Sequence, residues 1–516
     1  MANSAARTLP QEAAPHRLAE RNRIFDEGHR KMLLDRIGHP YNKYSIANNQ
    51  NILAEVHGLD PYNYGVVCPV YKRIVAALEA DVASGRLARG QQLPTHRALA
   101  RALGIDLTTV TRAYGEARRR GLLDARVGQG TFVSETTARA AADIPYQVKI
   151  DLSMNVPPQP VEANLETRIA QGLGFIQNET GFTALLNYQR PGGSDEEREI
   201  AAKWLQQRVP MATAARLIVY PGTQAVLFNT LLSLTSPGDV VLTEALTFPG
   251  IKGAAAKLNV RLVGVAMDGE GIDPDALKNA CKEHRPKAVY LVPTLHNPTT
   301  ITLGPGRRKA VADTIRDAGT ILIEDDAYGL LEPSASPIAN LIPERSYLAV
   351  SLSKCIAPAL RVSYLLVPDA TSEQVMRSSL QATMQMPPPL MVALATHWLR
   401  TGIADQIVMA IRSEATARQQ LAAKILKGLS FAGKSGGHHL WLSLPGQWTR
   451  SDFVTRVLRD GLAVVGSEAF AVEELAVAPH AVRIALGAAR NRAELSQALH
   501  VLAAAIRAPA TRMQIV

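Results

Sequence analysis

The chain is poor in cysteine, in aromatic residues and in long apolar runs, and each shortage excludes something. Its three cysteines, Cys68, Cys281 and Cys355, are odd in number and form no CxxC pair. They supply neither a disulfide framework nor a metal-binding knuckle, so a reducing cytoplasm and no metal are expected. No apolar run approaches the roughly 18 residues that cross a bilayer. The first residues carry Arg7, Glu12, Arg17 and Glu20 instead of the apolar centre of a secretory signal. Aromatic residues make up 5% and charged residues 20% of the chain, against 47% hydrophobic, the balance of a folded globular protein. At 516 residues the chain exceeds one ordinary core, so two or more domains are expected.

Positive charge is present in excess, and it is local. The net charge is +10, and the stretch from Val66 to Ser134 holds eleven Lys and Arg against five acids, which makes +6 of it. Such clustering suits a surface that neutralises phosphates. Residues 1–65 read as an extension of unassigned role, with an amphipathic helix over Arg17–Ile37. From Pro69 the period sharpens. Val70, Ile74, Leu78 and Val82 recur every four residues and predict a first helix. Leu93-Pro94-Thr95 opens a second, with Ala98, Leu99, Ala102 and Leu103 inward, and Asp106 caps a third that buries Val110, Ala113, Tyr114 and Ala117. Two short strands, Leu122–Arg126 and Thr131–Val133, flank Gly128-Gln129-Gly130.

Three helices followed by a glycine-turned hairpin make a winged helix-turn-helix over 66–134. Its third helix exposes Thr108, Thr109 and Arg112 to a major groove, while Arg97 and the wing residue Arg126 reach phosphates. The runs Gly90-Gln91-Gln92-Leu93-Pro94-Thr95-His96-Arg97 and Gly128-Gln129-Gly130-Thr131-Phe132-Val133 resemble the DNA-binding domain of GntR-family transcription regulators. Asp106-Leu107 stands where that family often has Ser-Arg, so no operator sequence carries over.

A linker is expected over 135–150, and a second module over 151–508, with a smaller C-terminal part from about 395. Apolar runs at Ala215–Val219, Val240–Thr243, Val260–Val265, Ala288–Val292, Thr320–Glu324 and Tyr347–Ser351 alternate with helical stretches. That alternation predicts an α/β domain with a mostly parallel sheet, whose ligands bind beyond the strands' carboxyl ends. Each run is followed by a group that a pyridine-phosphate aldehyde needs. Gly222-Thr223-Gln224 turns into a helix N-terminus. Phe248 offers a ring, Asn297 a donor, and the consecutive acids Glu324-Asp325-Asp326 a carboxylate for a ring nitrogen, with Tyr328 close behind. Ser351, Ser353, Lys354 and Arg361 close the set, with Lys354 placed to form a Schiff base.

These motifs, in this order, resemble the fold-type I aminotransferases that use pyridoxal 5'-phosphate (PLP). The resemblance implies that Lys354 bonds the cofactor, Asp325 faces its ring nitrogen, and Asn297 and Tyr328 hold its ring oxygen. It also implies that Thr223, Gln224, Ser351, Ser353 and Arg361 hold the phosphate. Arg483, in Ala481-Val482-Arg483-Ile484-Ala485, matches the family's carboxylate-binding arginine. Departures include His296 for the usual glutamine, Phe248 for tyrosine, Thr300 for a glycine and Ser363 for another. A winged helix joined to such a domain resembles the MocR subfamily of regulators. That resemblance implies a homodimer which binds double-stranded DNA and senses PLP, an amino-containing effector, or both at Lys354. An aminotransferase converting an amino acid to its 2-oxo acid, with an accessory DNA-binding domain, is the other reading these motifs allow.

Overall fold

The computed structural model describes residues 70–83, 86–88, 90–119, 122–126, 130–134, 148–179, 181–472 and 478–508. The extension 1–65, with its expected Arg17–Ile37 helix, and the linker core 135–147 lie outside the described residues. The chain divides into two units at Pro145 and Tyr146.

The first unit is built as its periodicity predicts. Helix α1 (Val70–Ala83) is followed by α2 (His96–Leu103), which starts where Thr95 accepts a hydrogen bond from the Ala98 N–H. Gly104, in the left-handed region at φ 64°, ends α2. Helix α3 (Leu107–Arg119) begins at Asp106, whose Oδ1 accepts from the Thr108 N–H at 3.0 Å. One core of Ile74, Leu78, Leu99, Leu103, Val110, Ala113 and Tyr114 joins the three helices. The inward face of α2 differs from expectation at one position: Ala98 is exposed and Ala100 is buried, because the helix starts at His96 and the face follows from that phase. Strands β1 (Leu123–Arg126) and β2 (Gly130–Val133) form the antiparallel wing, Leu123 opposite Val133.

The second unit opens with a two-residue strand, β3 (Ile150–Asp151), and then builds a seven-stranded sheet. Its strands are β4 (Leu217–Tyr220), β5 (Val240–Glu244), β6 (Arg261–Val265), β7 (Ala288–Leu291), β8 (Ile321–Asp326), β9 (Ser346–Ser351) and β10 (Ser363–Leu366). They lie in the order β4-β10-β9-β8-β7-β5-β6, and only β10 runs antiparallel to its neighbours. The six strands expected from apolar runs are all present; β10 is the one that sequence reasoning missed. Helices cover both faces, among them α4 (Thr223–Leu234), α5 (Pro249–Lys257) and α6 (Pro305–Asp317). Strands buried on both faces have no polar side to show, which is why they read as unbroken apolar runs.

Helix α7 (Ile403–Ile425) buries Ile407 and Ile411 in the sheet's core and Ala422 in a second, smaller core. That smaller subdomain contains strands β11 (Phe431–Gly433), β12 (His439–Ser443), β13 (Leu462–Ala463), β14 (Val465–Gly466) and β15 (Ala481–Ala485). Strands β11, β12, β15 and β14 form one antiparallel sheet. Its cover is α8 (Arg450–Arg459) and α9 (Arg492–Arg507). The subdomain also recruits the start of the unit: β3 pairs in parallel with β13, and Ile150 and Leu152 lie in this core. Among the described residues no helix is long and apolar enough to cross a membrane.

Candidate functional site

A cavity of about 410 Å³ opens at the carboxyl ends of the parallel strands, between the large sheet and the small subdomain. β9 delivers Ser351, and the turn after it delivers Lys354. Lys354 is half-buried and its ammonium donates to the Asn155 main-chain carbonyl at 2.5 Å. Burial is the largest cause that pulls its pKa down, to about 8; Arg483 adds to the fall and Asp325 opposes it.

β8 ends in three consecutive acids, and the structure sorts them. Glu324 accepts from the Ile338 and Ala339 N–H groups at 3.0 and 2.8 Å. Asp326 takes the buried Arg208 guanidinium on both oxygens. These two are structural. Asp325 alone lines the cavity: its Oδ2 accepts from the Tyr290 hydroxyl at 3.0 Å, and its Oδ1 is buried with no partner. Desolvation pushes the Asp325 carboxyl up to about 6. A cation beside Oδ1 would offset that cost.

At the other end of the cavity, Arg361 sits in the left-handed region at φ 49° and presents its guanidinium to Gly222. A Cβ on Gly222 would stand 2.8 Å from the Arg361 Cζ, so only glycine leaves this cradle open. Thr223 and Ser351 both hydrogen-bond Ser363 at 3.2 Å, and the Ser353 N–H donates to Ser351 at 3.1 Å. Ser363, which replaces the family's glycine, thus ties the hydroxyls together. Gln224 donates to the Gly250 carbonyl at 2.9 Å, and Gly250 leaves room for the Phe248 ring.

On the small-subdomain side, Arg483 of β15 is buried over the Phe470 ring, its Cζ 5.0 Å from the centroid. It donates to Asn297 Oδ1 at 2.9 Å and to the Ser153 carbonyl, and its Nε is left without a partner. Tyr328 accepts from Asn155 Nδ2 at 2.8 Å. Every cofactor residue expected from the sequence therefore lines this one cavity, except Gly222, which stands directly behind Arg361. Sequence reasoning missed Asn155, Ser153, Tyr290, His438 and His439. Of these only Asn155 carried a signal, the loop Asn155-Val156-Pro157-Pro158.

In the first unit, Thr108 and Arg112 are exposed on α3, Thr109 is half-buried, and Arg97 is exposed on α2. Arg112 also packs: its Cζ lies 4.7 Å over the Tyr71 ring of α1. The side chain of Arg126 lies outside the described residues.

A parallel sheet that sets a half-buried lysine against a half-satisfied carboxylate and an arginine cradle defines the aminotransferase class of PLP proteins, and the residues fit that cofactor. Residues 147–502 match the family described as aminotransferase class I and II, and residues 70–133 match bacterial regulatory proteins of the gntR family. The uncharacterized HTH-type transcriptional regulator YdeF of Bacillus subtilis is 30% identical over 438 residues, 84% of this chain and 94% of its own. The HTH-type transcriptional regulator TauR of Rhodobacter capsulatus is 25% identical over 447 residues, covering 77% of this chain and 89% of its own. Among solved structures, Pyrococcus horikoshii kynurenine aminotransferase superposes with TM-score 0.63 at 24% identity, over 69% of this chain and 90% of that one. LysN, the alpha-aminoadipate aminotransferase of Thermus thermophilus, gives 0.63 at 23% identity, over 71% and 95%. The chain belongs to the MocR subfamily of GntR-type transcription regulators, a winged helix fused to a class I and II aminotransferase domain. Its cofactor is pyridoxal 5'-phosphate, that of the aminotransferase class I and II family it matches.

Proposed function

We propose that this PLP-dependent, DNA-binding regulator uses the cavity as a sensor, binding PLP at Lys354 and, through it, an amino-containing effector. The observation that carries the reading is the convergence of Lys354, Asp325 and Arg361 on one cavity, in a chain whose other unit is a basic winged helix. Lys354 is the attachment point and Asp325 the partner of the ring nitrogen. Asn297 and Tyr328 take the ring oxygen, and Phe248 lies against the ring. Gly222, Thr223, Gln224, Ser351, Ser353 and Arg361 form the phosphate cradle. Bound PLP supplies a pyridinium that withdraws electrons from the carbon bearing the effector's amine. Arg483 receives the effector's carboxylate, exchanging its hold on Asn297 and Ser153.

On the DNA side, Thr108, Thr109 and Arg112 of α3 enter the major groove while Arg97 and Arg126 hold the backbone. We place the DNA-binding domain at 66–134, the linker at 135–150 and the PLP-binding domain at 151–508, and take the working form to be a cytoplasmic homodimer.

Spectroscopy on the full chain with PLP and a panel of amino acids and amines tests this. A visible cofactor band, lost in Lys354→Ala, is expected. Responding compounds should change the band without releasing an oxo-acid, and the same compounds should alter retardation of DNA from the protein's own upstream region. Turnover to oxo-acid with no effect on DNA binding would favour the aminotransferase reading, which the presence of both Lys354 and Arg483 permits.

A further inference from the structure

Asn155, which holds both Lys354 and Tyr328, is itself held from the small subdomain, where two histidines stand side by side at the start of β12. His438 Nε2 donates to the Lys354 main-chain carbonyl at 2.6 Å. His439 Nε2 donates to the His296 main-chain carbonyl at 3.0 Å. A carbonyl has no proton to give, so Nε2 of His439 carries the proton and Nδ1 of the neutral ring is an acceptor. Burial keeps this ring neutral by holding its pKa well below the ordinary histidine range, and Arg483 reinforces the effect.

That acceptor lies 3.1 Å from Asn155 Nδ2, and the second N–H of the same amide reaches the Tyr328 hydroxyl oxygen at 2.8 Å. One ring nitrogen therefore decides which end of the Asn155 amide faces inward. The amide oxygen, buried and without a partner, is the end left over. Tyr328 then accepts from Asn155, and its own proton is free for the cavity it lines. The bland alternative is a buried histidine that only fills space, and a phenylalanine would fill that space equally.

We propose that His439 is a positioning residue for Tyr328: through Asn155 it aims the tyrosine's proton at the ring oxygen of bound PLP and so sets the cofactor's protonation balance. The inference rests on the PLP site proposed above. Lys354, Asp325 and Tyr290 face Tyr328 from the large subdomain, and Arg483, His438 and His439 from the small one.

The test is the pH midpoint of the visible absorbance of the PLP-loaded full chain, in wild type, Tyr328→Phe, His439→Phe, the double variant and His439→Gln. A hydrogen bond donated to the ring oxygen favours its charged form, so losing it raises the midpoint, by about one unit in Tyr328→Phe. His439→Phe is expected to move it in the same direction and to add nothing in the double variant. His439→Gln, which keeps one acceptor and one donor, is expected to retain the wild-type midpoint. A wild-type midpoint in His439→Phe, or a shift that adds fully to that of Tyr328→Phe, would overturn the proposal. Should His439→Phe fail to fold by thermal melting, Asn155→Ala takes its place in the cycle with the same deciding outcomes. A wild type without a visible band, or a band retained in Lys354→Ala, would bring down the PLP site itself; a normal band with additive shifts sinks only the role of His439.

Discussion

Asp325 and Asp326 are neighbours in sequence with opposite fates, and the difference lies in what each meets. Asp326 finds Arg208, 118 residues away in sequence, whereas Asp325 keeps one oxygen unsatisfied in the cavity. An acid at a strand end was legible as a site; which of three acids it would be was decided by the alternation of side chains along β8 and by a distant arginine. The loop at Asn155 was legible but its role was not, for the same reason, since its partners lie 173 and 284 positions away. The raised Asp325 pKa has a testable sign. Its folded value, about 6, lies above its ordinary 3.8, so its contribution to cofactor-free stability is present at low pH and lost as pH rises through 6. A bound pyridinium reverses that loss. The gain in melting temperature on adding PLP is therefore expected to grow between about pH 4 and pH 6, and the Lys354 amine, with its pKa near 8, should extend the trend above that. A gain that is flat across this range would remove Asp325 from the ring nitrogen.

Among elements, the six parallel strands could be read because burial leaves each with a run of apolar residues, even where it ends in acids as β8 does. β10 could not: Ser-Tyr-Leu-Leu is four residues long and follows Arg361 almost at once, and its pairing with β4 and β9 is a non-local matter of register. In the winged helix the three helices and the wing were legible from period, cap and glycine, but the Arg112–Tyr71 contact was not, because helical period says nothing about which exposed residues touch across elements. That contact gives Arg112 two separable roles. Arg112→Ala is expected to weaken DNA binding and reduce the salt slope of log affinity by about one. Tyr71→Leu, which removes only the ring, should leave the slope unchanged. Salt titrations of gel retardation decide this, and an unchanged slope in Arg112→Ala would make the arginine purely a packing residue.

For the whole molecule, composition and charge placement announced two units, and the motif order announced their kinds. The way the second unit's opening residues fold back into its last subdomain was not announced, since β3 is too short to carry a pattern. Two winged helices in a homodimer would read two half-sites. Footprinting is expected to protect two similar sequences separated by a whole number of helical turns, about 10 base pairs each; a single protected half-site bound by one chain would exclude the dimeric reader. One further consequence follows from β3. The short strand anchors the chain as it leaves the linker, and within a few residues the same segment lends its Ser153 and Asn155 carbonyls to Arg483 and Lys354. In the function proposed above, an effector carboxylate at Arg483 and a cofactor at Lys354 would release the Ser153 and Asn155 carbonyls together. β3 itself, with Ile150 and Leu152 in the small core, keeps its pairing with β13 whatever the cavity holds, so the segment has one fixed end and one that answers to the site.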